Sequence, residues 1–254
     1  MKNLNFCYII NENKNFQEYL IKSLYSLVKY YKNIDTIYII STTLFDNEYE
    51  ILLNKICNNN CILNIKYVNK NIVDALKYPE YALNAKRIDK TALLKFYIPY
   101  LVDCNDIIYV DCDILFINNA SKILFENITD QTLIKIYHTY SMPNSGIIYI
   151  NCKLYRSNFD IFDFVINYYN TNNDKVFIDQ SCIYEILKKY NDICVVDNSH
   201  IEHINVCNTN IDIIDERLKK YGNCILHFIN DTKVLMNDFF NVFIKDNNFN
   251  ELFN

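Results

Sequence analysis

The sequence predicts an α/β fold, with a mostly parallel, twisted sheet and helices on both faces. Two observations carry this. Apolar runs of strand length alternate with helix-period patterns along the chain, and about half of the 254 residues are hydrophobic, enough to build a core. No Pro/Gly/Ser-rich linker or internal repeat interrupts the alternation, so residues 1–254 read as a single domain.

Residues 4–10 are apolar apart from Asn5 and read as a buried strand. Residues 16–31 place Phe16, Leu20, Leu24, Leu27, Val28 and Tyr31 on one helical face. Residues 35–41 read as a strand, 46–57 as a helix and 61–68 as a strand. Residues 89–102 read as a helix that Pro99 kinks or ends. Residues 106–110, Asp-Ile-Ile-Tyr-Val, are a strongly apolar strand. Further strands are expected near 132–137, 146–150, 192–196 and 223–228, and helices at 152–170 and 179–190. In sheets of this kind ligands bind beyond the carboxyl ends of the strands.

Net charge is −5 with both signs interspersed. Without a basic stripe, nucleic acid is excluded as a partner class. The ten Cys are scattered among apolar runs and read as small buried hydrophobes in a reducing compartment. Cys57 and Cys61 have no zinc-pair partners, and His200 and His203 have no carboxylate or Cys cluster to complete a metal set. The apolar run 4–10 is too short to span a membrane and lacks a cleavage pattern, so a cytoplasmic protein is expected. Only two Gly occur, and each is expected where backbone freedom is needed. Pro143-Asn144-Ser145-Gly146 has the chemistry of a tight turn. Gly222 reads as a helix C-cap.

The sharpest feature is Asp111-Cys112-Asp113, directly after the strand 106–110. Two carboxylates one residue apart at a strand end can converge on one cation. Carboxylate oxygens suit Mg²⁺ or Mn²⁺, which in turn hold phosphate oxygens. A solvated turn or helix cap is the bland alternative. Asp-x-Asp after a strand also opens the haloacid-dehalogenase phosphatases, where the first Asp attacks phosphorus. That family wants Thr or Val where this chain has Leu115, and its motif lies near the N-terminus, whereas three strands precede it here.

A set of ordered matches from residue 4 to residue 235 resembles glycosyltransferase family 8, which includes glycogenin and lipopolysaccharide galactosyltransferases. Lys95-Phe-Tyr-Ile-Pro99 followed by Asp106-Ile-Ile-Tyr-Val-Asp111-Cys-Asp113 resembles its central block. Asn144-Ser145-Gly146 through Asn151, with Tyr155-Arg156, is similar to its Asn-Ser/Ala-Gly strand. Asp179-Gln180 resembles the pair that opens a helix, and His227-x-x-Asn230-x-x-Lys233 its C-terminal His-x-x-Gly-x-x-Lys.

The resemblance implies a GT-A nucleotide-diphospho-sugar transferase fold and a retaining hexosyltransferase. Its donor would be UDP-glucose or UDP-galactose and its acceptor a glycan or protein. It implies Asp111, Asp113 and His227 as ligands of Mn²⁺, with Mg²⁺ as the alternative, and Lys233 against the diphosphate. Asn144 and Ser145 would lie under the donor sugar, with Asp179 and Gln180 beside it. Asn13, Asn15 and Phe16 would read the base and ribose, and Cys112 would lend its backbone to the ribose. Lys95 takes the position of a basic residue facing the donor phosphates, and Arg87 is a looser candidate. Either also reads as a solvated helix residue, and Phe16 equally as the start of an apolar helix face. Asn13 stands where the family has Asp, Asn230 where it has Gly, and Val234-Leu235 where it has Pro-Trp. These departures leave open a non-catalytic nucleotide-sugar or glycan-binding protein. Family relatives include dimers, so a homodimer is among the expected assemblies.

Overall fold

The computed structural model describes residues 4–57, 60–69, 71, 90–119, 124–139, 142–171, 178–197, 201–204, 209–222, 225–244 and 247–253. The first half runs β1 (Leu4–Ile10), α1 (Lys14–Tyr30), β2 (Ile34–Ser41), α2 (Asn47–Cys57) and β3 (Ile62–Tyr67). A 3₁₀ segment (Lys90–Phe96) and a one-turn helix α3 (Ile98–Leu101) lead to β4 (Ile107–Val110) and β5 (Ile114–Phe116). Next come β6 (Ile134–Thr139), β7 (Met142–Ile150), α4 (Cys152–Ser157), α5 (Phe159–Thr171) and α6 (Ile178–Lys189). The chain closes with β8 (Cys194–Asp197), β9 (Ile201–Ile204), α7 (Ile211–Tyr221), β10 (Ile225–Phe228), a 3₁₀ segment (Asn230–Leu235), α8 (Met236–Phe243) and α9 (Asn247–Glu251).

Seven strands form the main sheet in the order β3-β2-β1-β4-β7-β6-β8. All neighbours are parallel except β7, which runs antiparallel to both β4 and β6. The two faces of β1 separate by alternation, as a period of two requires. Phe6, Tyr8 and Ile10 pack with Leu20, Leu24 and Leu27 of α1, while Cys7 and Ile9 pack on the opposite face with Leu94, Ile183 and Ile186. Burial on both faces explains why these strands read as largely apolar runs.

A second sheet, β5-β10-β9, was not expected. β10 answers to the strand expected near 223–228, but β5 and β9 have three and four residues, too short to carry a period. Ser26 anchors it to α1: its hydroxyl donates to Ser23 O at 2.7 Å and accepts from Phe116 N at 3.0 Å. Below it, Leu115, Leu226 and Phe228 pack with Met236, Phe239 and Phe240 of α8.

Three local expectations are corrected. Pro99 stands in the first turn of α3 and starts that helix, since its missing N–H costs nothing there. The helix expected at 152–170 is two helices, broken at Asn158. Residues 143–146 are not a turn but part of β7, where the β6 register shifts between Ile136 and Tyr137. Gly222 does cap α7, with φ of 66°. The eight cysteines described are free thiols, five of them buried. Among the described residues no helix is long and apolar enough to cross a membrane.

Candidate active site

The site lies at the seam between the two sheets. β4 has all four residues buried, which fixes its carboxyl end. One further backbone bond, Asp111 N to Gly146 O at 2.7 Å, carries the β4–β7 ladder past its end and sets Asp111 beside β7. Asp113 follows the turn into β5. Its carbonyl accepts from Phe228 N at 3.0 Å, and His227 pairs in register with Ile114. The main sheet thus places Asp111, and the small sheet places Asp113 and His227. One ligand atom from each of the three lies within 4.8 Å of the others.

Asp113 is 3 % exposed. Lys233 Nζ pairs with its Oδ2, and His227 Nε2 lies 3.5 Å from Oδ1. Oδ1 is nonetheless buried without a hydrogen bond. Burial works to raise this carboxyl; the charge of Lys233, with His227 beside it, overrides burial and holds it well below the usual range. Lys233 mirrors this: burial lowers its ammonium, but Asp113 outweighs burial and the net shift is upward. Its Nζ also sits 5.0 Å from the centre of the Phe16 ring. An anionic pair with an imidazole, one carboxylate oxygen lacking a donor, is a donor set that fits a divalent cation.

A second cluster lies behind Asp111. Lys95 is 3 % exposed. Its Nζ donates to Asp179 Oδ2 at 2.6 Å and to Ser145 O at 3.4 Å, and lies 3.9 Å from Asp111 Oδ1. Ser145 Oγ donates to the same Asp179 oxygen at 2.6 Å. Burial would raise the Asp179 carboxyl, yet the charge and hydrogen bond of Lys95 bring it below its ordinary value. Burial also opposes the charge of Lys95, and Asp179 and Asp111 overcome it and raise its pKa. Lys95 is therefore no solvated helix residue.

A family profile described as Glycosyl transferase family 8 matches residues 7–234. The chain belongs to glycosyl transferase family 8. Galactosyltransferase LgtC, solved with donor and acceptor sugar analogs, is similar with a TM-score of 0.68 at 14% identity, over 98% of this chain and 95% of its own. The apo glycosyltransferase GlyE of Streptococcus pneumoniae TIGR4 gives 0.65 at 12% identity, over 99% of this chain and 62% of its own. Mouse xyloside xylosyltransferase 1 gives 0.56 at 12% identity, over 91% and 99%. These likenesses establish the GT-A fold. No curated protein sequence matches significantly. By family and fold this is a glycosyltransferase, so the haloacid-dehalogenase reading falls.

Most of the residues singled out from this family 8 sequence converge. Asp111, Asp113, His227, Lys233 and Phe16 gather at the seam, with Lys95, Ser145 and Asp179 next to them. Asn144 is buried, its Oδ1 accepting from Gly146 N at 2.7 Å. Asn13 and Asn15 are exposed at the start of α1, and Asn13 Oδ1 accepts from Asn15 N as the N-cap. Gln180 is half-buried in the first turn of α6. Cys112 is buried in the α1-side core, and burial, then Asp113, pushes its thiol up. Asn230 opens a 3₁₀ segment without left-handed backbone, and Val234 is 70% exposed. Arg87 and His200 lie outside the described residues. Gly146 is also not left-handed. It supplies space rather than backbone freedom: an added Cβ would meet His227 Cε1 at 2.5 Å. Sequence reading passed over Tyr109, whose hydroxyl donates to Asp111 Oδ1. Its place two residues before Asp111 on a strand, hence on the same face, was the available signal.

Proposed function

We propose that this chain is a retaining hexosyltransferase that moves glucose or galactose from a UDP-sugar to a glycan or protein acceptor. The observation that supports it most is the convergence of Asp111, Asp113 and His227 within 4.8 Å, drawn from the middle and the C-terminal end of the family match. These three would hold Mn²⁺, with the imidazole favouring it over Mg²⁺. When bound, the cation neutralises charge on the diphosphate.

Lys233 would add a second positive charge against the leaving diphosphate as the bond to the anomeric carbon breaks. Phe16, whose ring lies 5.0 Å from Lys233 Nζ, would stack on the base, with Asn13 and Asn15 reading the base and ribose. Asn144, Ser145, Asp179 and Gln180 would line the sugar, with Lys95, Arg87, the Cys112 backbone and Asn230 completing the donor site. A Gln is a poor nucleophile, so transfer occurs from the front face. The acceptor hydroxyl gives its proton to the departing phosphate oxygen while its oxygen bonds the anomeric carbon on the same side. We also take residues 1–254 as one domain, acting in the cytoplasm and able to pair as a homodimer.

Incubating the protein with UDP-glucose or UDP-galactose, with Mn²⁺ or with chelator, tests the reading. Cation-dependent UDP release with hexose appearing on an acceptor, or on the protein by mass spectrometry, is expected. UDP binding without any turnover would reduce the chain to a binding protein.

A further inference from the structure

Tyr109 is buried on β4, 4 % exposed, with its ring in the core shared by Ile9, Leu94 and Ile148. Two residues on, past the strand end, stands Asp111. Successive side chains alternate along a strand, so Tyr109 and Asp111 leave the backbone on the same side. The phenol hydroxyl donates to Asp111 Oδ1. The face of the same ring carries the Lys95 ammonium, 4.9 Å from its centre. Lys95 Nζ in turn lies 3.9 Å from that same Oδ1. Asp111 is therefore held through one oxygen by the hydroxyl of Tyr109 and by the charge of Lys95, while its side chain stays 28% exposed.

A carboxylate held this way cannot swivel freely about its Cβ–Cγ bond. Its second oxygen then has a fixed direction before any ligand arrives. Asp113 needs no such device, because Lys233 and His227 flank it directly. Asp111, the more exposed member, is oriented among the described residues by Tyr109 and Lys95.

We propose that Tyr109 is a positioning residue for the cation: its hydroxyl fixes Asp111 in the ligating orientation, and its ring keeps Lys95 over the same oxygen. This rests on the reading of Asp111, Asp113 and His227 as a cation site. Outer hydrogen-bond partners of metal ligands typically change affinity by about 10–100-fold.

Tyr109→Phe removes the hydroxyl and keeps the ring. Calorimetric titration of Mn²⁺ into the UDP-bound protein is expected to show affinity about tenfold weaker or worse in the variant. The Mn²⁺ concentration for half-maximal turnover should rise in step, while kcat at saturating Mn²⁺ stays within about twofold of wild type. A merely structural defect would instead lower kcat at every cation concentration. Unchanged Mn²⁺ affinity in a folded variant overturns the proposal. So does failure to fold, since a hydroxyl that only orients Asp111 is dispensable to the core. Asp113→Asn serves as the control for the underlying reading. If wild type binds no Mn²⁺, or Asp113→Asn binds it equally well, the cation site itself is wrong.

Discussion

Gly146 presses its bare Cα against the imidazole of His227. A Cβ there would stand 2.5 Å from Cε1 and 2.9 Å from Nε2, closer than such atoms approach in folded proteins. The same residue's carbonyl holds Asp111 N at 2.7 Å. Gly146→Ala must therefore displace the ring or the strand. Overpacking of this kind costs about 1–3 kcal/mol. The larger expected effect is on the site: Mn²⁺ affinity should drop at least about tenfold, as for loss of a ligand's support. Calorimetry with UDP present measures it, and a variant with wild-type affinity would show that this contact does not place the imidazole.

Lys95 and Asp179 form a buried pair, so deleting one partner strands the other. Lys95→Met should destabilise by about 3–5 kcal/mol, because Asp179 loses its counter-charge in a dry interior. Lys95→Met/Asp179→Leu should recover much of that loss, since neither member of the pair is then left as a buried charge without the other. Urea unfolding of the four-member cycle reads both effects. A single variant as stable as wild type would mean that water reaches Asp179.

The same pair sets a pH dependence. Asp179 is depressed when folded, so its contribution is full above its unfolded value near 4 and is lost as pH falls through the folded value. Lys95 is raised, so its contribution is full below about 10.4 and is lost as pH rises through the folded value. Stability from this pair should hold across neutral pH and decline on the acid side below about pH 4. Asp179→Asn should be less stable at pH 7 and lose less on acidification. Thermal melts from pH 7 to pH 3 test this, and identical acid limbs would discount the pair.

Residues 4–10 and 107–110 were legible because strands buried on both faces leave largely apolar runs. Asp111, Asp113 and His227 were legible as a set from their order along the chain. What placed them was not. β5 and β9 have three and four residues, too few for a pattern, yet β5 and β10 bring His227 to Asp113. Gly146 reads locally as a turn residue, whereas the imidazole of His227, distant in sequence, and the Asn144 amide oxygen leave no room for a side chain. Lys95 looks like any helix lysine until Asp179 and Tyr109 enclose it. Such relationships live in tertiary contacts, which a single sequence does not print.

Lys233 pairs with Asp113 Oδ2, a carboxylate proposed to hold the cation. The ammonium and a cation at the same carboxylate repel each other and share its charge. Neutralising the lysine should therefore act in opposite directions on the two ligands. Lys233→Met should tighten Mn²⁺ binding by the protein alone, because Asp113 no longer has a competing partner. It should weaken UDP binding at saturating Mn²⁺, because the diphosphate loses a positive neighbour, and lower turnover by about 10²–10³-fold if that charge stabilises the leaving group. Calorimetry with Mn²⁺ alone, then with UDP at fixed Mn²⁺, separates the effects. If both affinities fall together, Lys233 supports the site structurally and does not exchange Asp113 for phosphate.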